Sequence, residues 1–355
     1  MRFGLMKRAS LLLVMLVALN VNAQLPFIKG VYGNPATLLK AGHRFDSLGM
    51  NAVFVRSISL NEDFFRTAKQ QGCRVYVEFP TLYGNNYLEQ HPEAWPINEK
   101  GERAVQADWF MGVCLTDPGL KQVRIAELKE ISKRYAVDGI FLDYMHWHAQ
   151  FEKADPILPE TCFCDRCTGL FATHIGKAIP GSDITSRAGW ILQNAEPAWR
   201  KWRSGILNTW IADLRKVLRQ ERPDARLGVF YCGWLPADHD SALYRKLGID
   251  VAGLAREADI LAPMLFHGMY GKSAGWVGEY MEWLDRELKS KSKTPLVWPI
   301  VQAHNKPATI SADEFQKVMN AGMSSPSSGI MMFADGSLLE DPEKLKVMKT
   351  IYRSK

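Results

Sequence analysis

The stretch DGIFLDYMHW, residues 138–147, combines a buried strand with an acid at its end. Ile140, Phe141 and Leu142 form a continuous apolar run, which is typical of a strand covered on both faces. Asp143 follows at once, and aromatic residues and two histidines come next. In a barrel of parallel strands, an acid in this position projects into the mouth, where substrates bind. The stretch therefore predicts both a parallel sheet and a reactive site at its carboxyl edge.

Seven further apolar runs alternate with amphipathic helical patterns along the chain. The eight predicted strands span 27–33, 51–55, 74–79, 138–144, 226–232, 259–266, 295–301 and 329–334. Helical patterns such as LKQVRIAELKEISKRYA and DEFQKVMNAG place apolar residues three and four positions apart. Eight strand–helix units in succession predict an α/β fold, a (β/α)8 TIM barrel forming a single domain. A doubly wound open sheet is the alternative, although no GxGxxG motif follows the first strand.

Two connections are much longer than the others, 80–117 after the third strand and 145–190 after the fourth. Both leave the carboxyl ends of strands, which is the side on which barrels carry their chemistry. Loops of this length usually have a function or contain small substructures. We therefore expect both loops on one rim of the barrel, beside the predicted site.

The amino terminus has the pattern of a secretory signal peptide. Arg2, Lys7 and Arg8 form a basic start, the apolar run LLLVMLVAL follows, and Val21-Asn22-Ala23 offers a small-residue cleavage site. We expect a signal peptide over 1–23 with cleavage after Ala23, a barrel domain over 24–355, and a secreted or periplasmic location. The chain has 44 basic and 38 acidic residues, and three of the basic ones lie in the leader, which leaves a net charge of +3. That charge gives no reason to propose a nucleic acid or a membrane as a partner.

Three cysteines lie within the six residues CFCDRC, at positions 162–167. Cys162 and Cys164 are too close in sequence for an unstrained disulfide, and the CxxC that ends at Cys167 lacks a thioredoxin-like context. Three thiolates this close suit one tetrahedral ion, and Cys114 in the other long loop is the natural fourth ligand. The pattern predicts a structural zinc site, with paired disulfides as the alternative in an oxidising compartment. The remaining two cysteines, Cys73 and Cys232, are predicted to be buried thiols.

These motifs resemble two groups of glycosidases. A cysteine followed about fifty residues later by C-x-C-x-x-C, just after the fourth strand, resembles the zinc cluster of family 42 β-galactosidases. The phrases KRYAVDGIFLDY, VCLTDPGLKQ, HPEAWPINEKGE and GIMMFADGSL resemble hypothetical glycosyl hydrolases related to α-L-fucosidases. This resemblance covers most of the chain and implies an enzyme that acts on a carbohydrate substrate. In fucosidase-like and α-galactosidase-like barrels the acid of the fourth strand is the nucleophile, and the resemblance implies that role for Asp143.

The sequence departs from the β-galactosidase pattern at both catalytic positions. Leu142-Asp143 stands where that family has Asn-Glu, and no acid follows the seventh strand in VQAHN (301–305), so that family's mechanism does not carry over. Glycoside hydrolysis still requires two carboxyl groups, about 5–5.5 Å apart for retention of configuration and about 6.5–9.5 Å for inversion. Glu78 and Asp238 are the leading partners for Asp143. The other acids near strand ends are Asp108, Asp240 and Asp335.

Aromatic and polar residues of the predicted rim are expected to bind sugar. The predicted substrate-binding residues are Trp109, His146, Trp147, Trp234, His267, His304 and Asp335. No HExxH or GxSxG motif is present, and no organic cofactor is expected. The favoured function is a secreted glycoside hydrolase with a two-carboxylate retaining mechanism. The alternatives are a non-catalytic carbohydrate-binding barrel and a metal-dependent polysaccharide deacetylase.

Overall fold

The structure is a computed structural model that describes residues 26–290 and 294–354. The predicted signal peptide over 1–23 and its cleavage site lie outside the described residues. Within the described residues, parallel strands close into a barrel of eight positions, which confirms the predicted fold and excludes the open sheet. No helix in the described part of the chain is both long and apolar enough to cross a bilayer.

The barrel consists of nine strand segments whose order follows the chain, and the last pairs with the first. They are β1 (Ile28–Gly33), β2 (Ala52–Arg56), β3 (Arg74–Pro80), β4 (Gly139–Asp143), β5 (Arg226–Cys232), β6 (Ile260–Leu265), β7 (Leu296–Val297), β8 (Ile300–Gln302) and β9 (Gly329–Phe333). The segments β7 and β8 share the seventh position, because both pair with β6. Pro299 lies between them and has no N–H to donate, which interrupts the ladder.

Helices surround the barrel and fill the connections between its strands. They are α1 (Ala36–Lys40), α2 (Glu62–Gln70), α3 (Asn85–Gln90), α4 (Pro118–Arg134), α5 (Asp165–Ile175), α6 (Ile184–Asn194), α7 (Glu196–Glu221), α8 (Asp238–Arg245), α9 (Val251–Glu257), α10 (Trp276–Lys289), α11 (Ala312–Gly322), α12 (Asp335–Glu340) and α13 (Pro342–Arg353). Capping residues in the sequence mark where several of these helices begin. Asp117 precedes α4 and accepts the N–H of Leu120, and Pro118 fits the first helical position.

Large aromatic rings close the interior of the barrel below its carboxyl end. Phe54, Tyr76, Phe141 and Trp298 lie with ring centroids between 5.0 and 6.2 Å apart. Gly228 makes room for this cluster, since a Cβ atom there would lie 2.4 Å from the ring of Phe141. The barrel is therefore a packed core and not a pore, so a ligand can enter only from the rim above these rings.

The two long connections lie on the same rim, as predicted, and a histidine joins them. His148, after β4, accepts a hydrogen bond from the N–H of Gly112 at Nδ1 (3.1 Å) and donates from Nε2 to the carbonyl of Val105 (2.9 Å). One ring nitrogen accepts and the other donates, so the imidazole is neutral. Burial lowers the pKa of His148, which agrees with this assignment. The loops 80–117 and 145–190 are thus fixed to each other above β3 and β4.

Candidate active site and cysteine cluster

A cleft of about 610 Å³ opens at the carboxyl end of the barrel. Tyr32, Arg56, Glu78 and Asp143 enter it from the ends of β1, β2, β3 and β4, one residue from each strand. This volume lies in the range of ordinary ligand sites, about 300–1,000 Å³. The floor of the cleft is therefore built from strand ends, and its walls come from the loops above them.

Asp143 is the last residue of β4, and only 4% of its surface is exposed. Its two carboxylate oxygens accept separate hydrogen bonds, Oδ2 from the hydroxyl of Tyr32 (3.0 Å) and Oδ1 from the backbone N–H of Tyr144 (2.8 Å). Burial raises the pKa of Asp143 to about 6, while these two donors and the charge of Arg56 act in the opposite direction. The carboxyl group is thus mostly ionised at neutral pH.

Glu78 lies next to Asp143 on the cleft floor and is equally buried. The strand register places it opposite Arg56 on β2 and opposite Phe141 on β4. Burial first, and then the charge of Asp143, raise the pKa of Glu78 to about 8, and Arg56 partly opposes them. One cleft thus holds an ionised carboxylate and, on the neighbouring strand, a carboxyl group that keeps its proton at neutral pH.

A third carboxyl group, Glu152, reaches the cleft from the loop after β4. It also lines a narrow pocket beside the cleft, with Phe110 and His146. Burial and then the charge of Asp143 raise the pKa of Glu152 to about 8. Sequence reasoning missed this residue because it does not end a strand. The one available signal was the length of the loop that carries it.

Aromatic side chains form two walls of the cleft. On one side Trp109, with 42% of its surface exposed, lies near Tyr144 and Tyr83, with ring centroids 5.9 and 6.5 Å away. On the other side Phe266 and Phe333 stack with centroids 5.5 Å apart. Exposed aromatic faces beside carboxyl groups suit the C–H faces of sugar rings. Trp109, which the sequence predicts to bind substrate, therefore lies in the cleft.

Two non-glycine residues of these walls have left-handed backbone angles. Asp108 has φ 56° and Tyr144 has φ 57°. Such conformations cost of order 1–3 kcal/mol and tend to occur at active sites, where the surrounding structure holds them in place. Each lies directly beside a cleft residue, Trp109 in the first case and Asp143 in the second. The other non-glycine residues with such angles are His239, Asp240 and Ser241 in α8, so the backbone geometry agrees with the site but does not single it out.

Two of the predicted acids lie away from the cleft lining. Asp238 forms an ion pair with Lys272, with 2.8 Å between Oδ1 and Nζ. Asp335 accepts hydrogen bonds from the N–H of Asn34 (2.8 Å) and from the hydroxyl of Thr37, so it connects the end of β9 to the loop after β1. Both carboxylates are occupied by partners of the protein itself.

The predicted tryptophans of the next loops are core residues. Trp147 is fully buried, its indole N–H donates to the carbonyl of Arg203 (3.2 Å), and the guanidinium of Arg203 lies 4.7 Å from its ring. Trp234 is also fully buried, with its ring 4.3 Å from that of His239. Neither lines the cleft, so the structure places both in packing roles.

The three predicted histidines lie at different depths. His146 lines the narrow pocket, and its Nδ1 donates to the carbonyl of Trp147 (2.9 Å). Burial lowers the pKa of His146 to about 4, so it stays neutral. His267 is fully buried, with its Nε2 3.0 Å from Oε1 of Glu314. His304 lies behind the aromatic wall, 5.6 Å from the ring of Phe333.

The four cysteines predicted to bind metal converge at one point. The Sγ atoms of Cys114, Cys162, Cys164 and Cys167 all lie within 4.8 Å of one another. Cys114 lies 3.7 Å from Cys164 and 3.5 Å from Cys167, and all are free thiols. Tetrahedral zinc with bonds of about 2.3 Å requires sulfur–sulfur edges of about 3.8 Å, so the spacing fits. Cys73 and Cys232 lie elsewhere and are buried, as predicted.

The cluster brings together cysteines from the two loops that carry the cleft walls. Cys114 follows Trp109 in the loop after β3, and Cys162 follows Glu152 in the loop after β4. A four-thiolate site has no open coordination position, so a metal ion there would be structural. Among the described residues, no other group of His, Cys, Asp or Glu side chains converges in this way.

Comparison with solved structures finds the same barrel in several glycoside hydrolases. The PgaB (BpsB) glycoside hydrolase domain from Bordetella bronchiseptica is 14% identical, with TM-score 0.67, covering 93% of this chain and all of that one. The β-galactosidase from Marinomonas ef1 is 11% identical, with TM-score 0.65, covering 91% of this chain and 58% of that one. Alpha-L-fucosidase isoenzyme 2 from Paenibacillus thiaminolyticus is 11% identical, with TM-score 0.55, covering 92% of this chain and 48% of that one.

The chain therefore has the barrel fold of these glycoside hydrolases. It spans the whole of the PgaB domain but only about half the length of the β-galactosidase and the fucosidase. No protein-family model matches the sequence, and no curated protein matches it either. At such low identities the likeness establishes the fold, and the chemistry must be argued from the cleft.

Proposed function

We propose that this protein is a secreted glycoside hydrolase that cleaves a glycosidic bond in an oligo- or polysaccharide. The observation that carries the proposal is the set of carboxyl groups in one cleft. Asp143 has a pKa of about 6, and Glu78 and Glu152 each have a pKa of about 8. At neutral pH this gives an ionised carboxylate beside protonated carboxyl groups, which is the combination that glycoside hydrolysis uses.

In the proposed retaining mechanism, Asp143 attacks the anomeric carbon while Glu78 donates its proton to the leaving oxygen. The glycosidic bond breaks as the bond to the Asp143 carboxylate forms. In the second step Glu78, now ionised, takes a proton from water, and the water oxygen replaces the carboxylate at the anomeric carbon. Tyr32 and the N–H of Tyr144 hold the Asp143 carboxylate in place through both steps. Trp109 supplies a face for the sugar ring.

Glu152 is the second candidate for the acid. Its pKa is raised to the same level as that of Glu78, and it approaches the cleft from a loop and not from the floor. If the sugar ring of the substrate lies above Asp143, a carboxyl group on the wall can reach the leaving oxygen from the side of that ring. Because both Glu78 and Glu152 are protonated at neutral pH, the kinetics of variants must identify which of them is the acid.

The proposal is tested by screening the purified protein on aryl glycosides and polysaccharides, with Asp143→Asn as the control. Turnover of one sugar class that disappears in the control supports a hydrolase, and sugar binding without turnover supports a binding protein. In Glu78→Ala, aryl glycosides with good leaving groups should react nearly as fast as before, while poor leaving groups should not. The same pattern in Glu152→Ala, with a small effect at Glu78, would assign the acid to Glu152.

The two alternative functions lack support from the cleft. A binding barrel needs no carboxyl groups of raised pKa, yet the described cleft has two beside an ionised one. A metal-dependent deacetylase needs an open His/Asp site, and the cysteine cluster is the one converging ligand set among the described residues. We propose zinc in that cluster, where the four thiolates would hold the ion and keep the two walls in place.

A further inference from the structure

Arg56 is the one cationic side chain among the described residues that line the cleft. It ends β2 and is exposed. Its guanidinium has no hydrogen bond and no ion pair within 4.0 Å to any of the described residues. A guanidinium has five N–H donors, and no described side chain or backbone carbonyl accepts from those of Arg56.

Among the described residues, no carboxylate lies within ion-pair distance of Arg56. The charge of Arg56 partly opposes the burial that raises the pKa of Glu78 and Asp143, so it acts in the cleft. Glu78 nevertheless keeps its proton at neutral pH, and Asp143 already accepts two hydrogen bonds from other donors. The exposed guanidinium is open to solvent water in the cleft. A sugar that displaces this water leaves the donors without acceptors unless the sugar supplies them, which is costly for a charged group.

We propose that Arg56 binds an anionic group of the substrate, and that the hydrolase therefore acts on acidic glycans. This inference rests on the proposed function, because it names the substrate class of the same cleft. A carboxylate of a hexuronate or a sulfate ester presents two oxygens to the planar fork of the guanidinium. Ser57 and Asn86 line the cleft on the same side and add hydrogen-bonding groups for the sugar hydroxyls.

The surface beyond Arg56 gives a glycan chain room to continue. A second groove of about 340 Å³ shares Ser57 and Ile58 with the cleft, and 88% of the Ile58 surface is exposed. Both arginines that line that groove are already paired, and Arg134 lies 3.7 Å from Glu62. Arg124 donates to the carbonyl of Thr81 and lies 2.6 Å from Glu127. Arg56 is thus the cation at this junction that is left for a ligand.

The experiment measures binding in the Asp143→Asn background, so that turnover is not required. The probes are oligosaccharides of polygalacturonate, alginate and chondroitin sulfate. Each is compared with its own carboxyl-reduced form, and the chondroitin oligosaccharide also with its desulfated form. Calorimetry gives the dissociation constants for the Asp143→Asn protein, for the same protein with Arg56→Gln, and for a matched control with Arg66→Gln. The side chain of Arg66, on α2, is 65% exposed and lies 3.9 Å from Asp63. Circular dichroism confirms that each variant is folded.

We expect at least one acidic probe to bind about tenfold or more tightly than its neutral form, which is the range of a hydrogen bond to a charged group. Arg56→Gln should remove that preference, and Arg66→Gln should keep it. The pair that shows the difference identifies a carboxylate or a sulfate as the group bound. Equal affinities within every pair, no binding of any acidic probe, or a preference that survives Arg56→Gln would overturn the inference. Failure of the proposed function would instead appear as an absence of turnover of the bound probe by the wild-type protein, with the binding preference intact.

Discussion

The hydroxyl of Tyr32 donates a hydrogen bond of 3.0 Å to Oδ2 of Asp143, although β1 and β4 are not neighbours in the barrel. Burial, followed by the charge of Asp143, holds the pKa of Tyr32 well above its usual value, so the phenol remains a donor. Burial raises the pKa of Asp143, and this hydrogen bond opposes that effect. Tyr32 therefore helps to keep the proposed nucleophile ionised inside a buried site.

The variant Tyr32→Phe tests this relationship. Loss of a hydrogen bond to a carboxylate costs about 1.5–3 kcal/mol, so kcat/KM should fall by roughly tenfold or more. The acidic limb of the pH–rate profile should move to higher pH, because the carboxylate loses a donor. Tyr280→Phe is the matched control, since it removes a buried hydroxyl that donates to Tyr231 outside the cleft. An unchanged acidic limb in Tyr32→Phe would mean that the contact does not support ionisation.

The pH dependence of kcat/KM should be bell-shaped. Activity should rise as Asp143 ionises, near its pKa of about 6, and fall as the acid loses its proton, near a pKa of about 8. The two limbs report the carboxyl groups as a coupled set. Initial rates from about pH 5 to about pH 9 provide the measurement. A profile that stays flat through the alkaline range would exclude a carboxyl group of raised pKa as the acid.

Stability should depend on pH through the buried carboxyl groups. Burial raises the pKa of Glu78 from 4.5 to about 8, so the folded state binds a proton that the unfolded state releases. The free energy of unfolding should therefore fall as the pH rises from 4.5 toward 8. Glu78→Gln cannot ionise and should be more stable than the wild type at the upper end of this window, with a smaller difference at the lower end.

Urea unfolding at both ends of that pH window measures the effect of Glu78→Gln. Each unit of pKa difference corresponds to about 1.4 kcal/mol. Glu343→Gln on α13 is a suitable control, because that side chain is 68% exposed and lies 3.4 Å from Lys346 on the same helix. A difference between Glu78→Gln and wild type that does not grow with pH would show that Glu78 ionises freely in the folded protein.

Metal content tests the cysteine cluster. Elemental analysis should find about one zinc per chain, the stoichiometry of a four-thiolate site. Cys167→Ser should lose the metal and lower the melting temperature, because the loops of Trp109 and Glu152 are then no longer fastened together. Cys73→Ser, which changes a buried thiol outside the cluster, should retain the metal. Wild-type protein with no metal and with oxidised cysteines would favour the disulfide alternative.

The pattern of strands in the sequence predicts the residues on the floor of the cleft but not those on its walls. Asp143 and Glu78 lie near the ends of strands, so counting apolar runs is enough to bring them together. Glu152 reaches the cleft because a pair of backbone hydrogen bonds between Gln150 and Ile157 shapes its loop. No periodicity encodes that pairing, and so the third carboxyl group was not foreseen.

The same limit applies to side chains whose partners lie far away in the sequence. Asp238 follows β5 as an active-site acid would, yet Lys272 pairs with it from another loop. Trp147 follows the proposed nucleophile closely, but Arg203 on α7 covers its ring. A residue of the site and a residue of the core can share the same type and the same position after a strand. Only their tertiary contacts distinguish them. The cysteine cluster converged as predicted because three of its ligands lie within six residues and Cys114 comes from the other long loop of the same rim.

The turnover of Asp143→Asn tests the central claim most directly. The substitution keeps the shape of the side chain and removes its charge, so the melting temperature and sugar binding should remain close to those of the wild type. With the sugar class found in the screen, kcat should fall by about a thousandfold or more, equivalent to about 4 kcal/mol of barrier. A folded Asp143→Asn protein whose kcat lies within about tenfold of wild type, only ~1.4 kcal/mol, would contradict the assignment of Asp143 as the nucleophile.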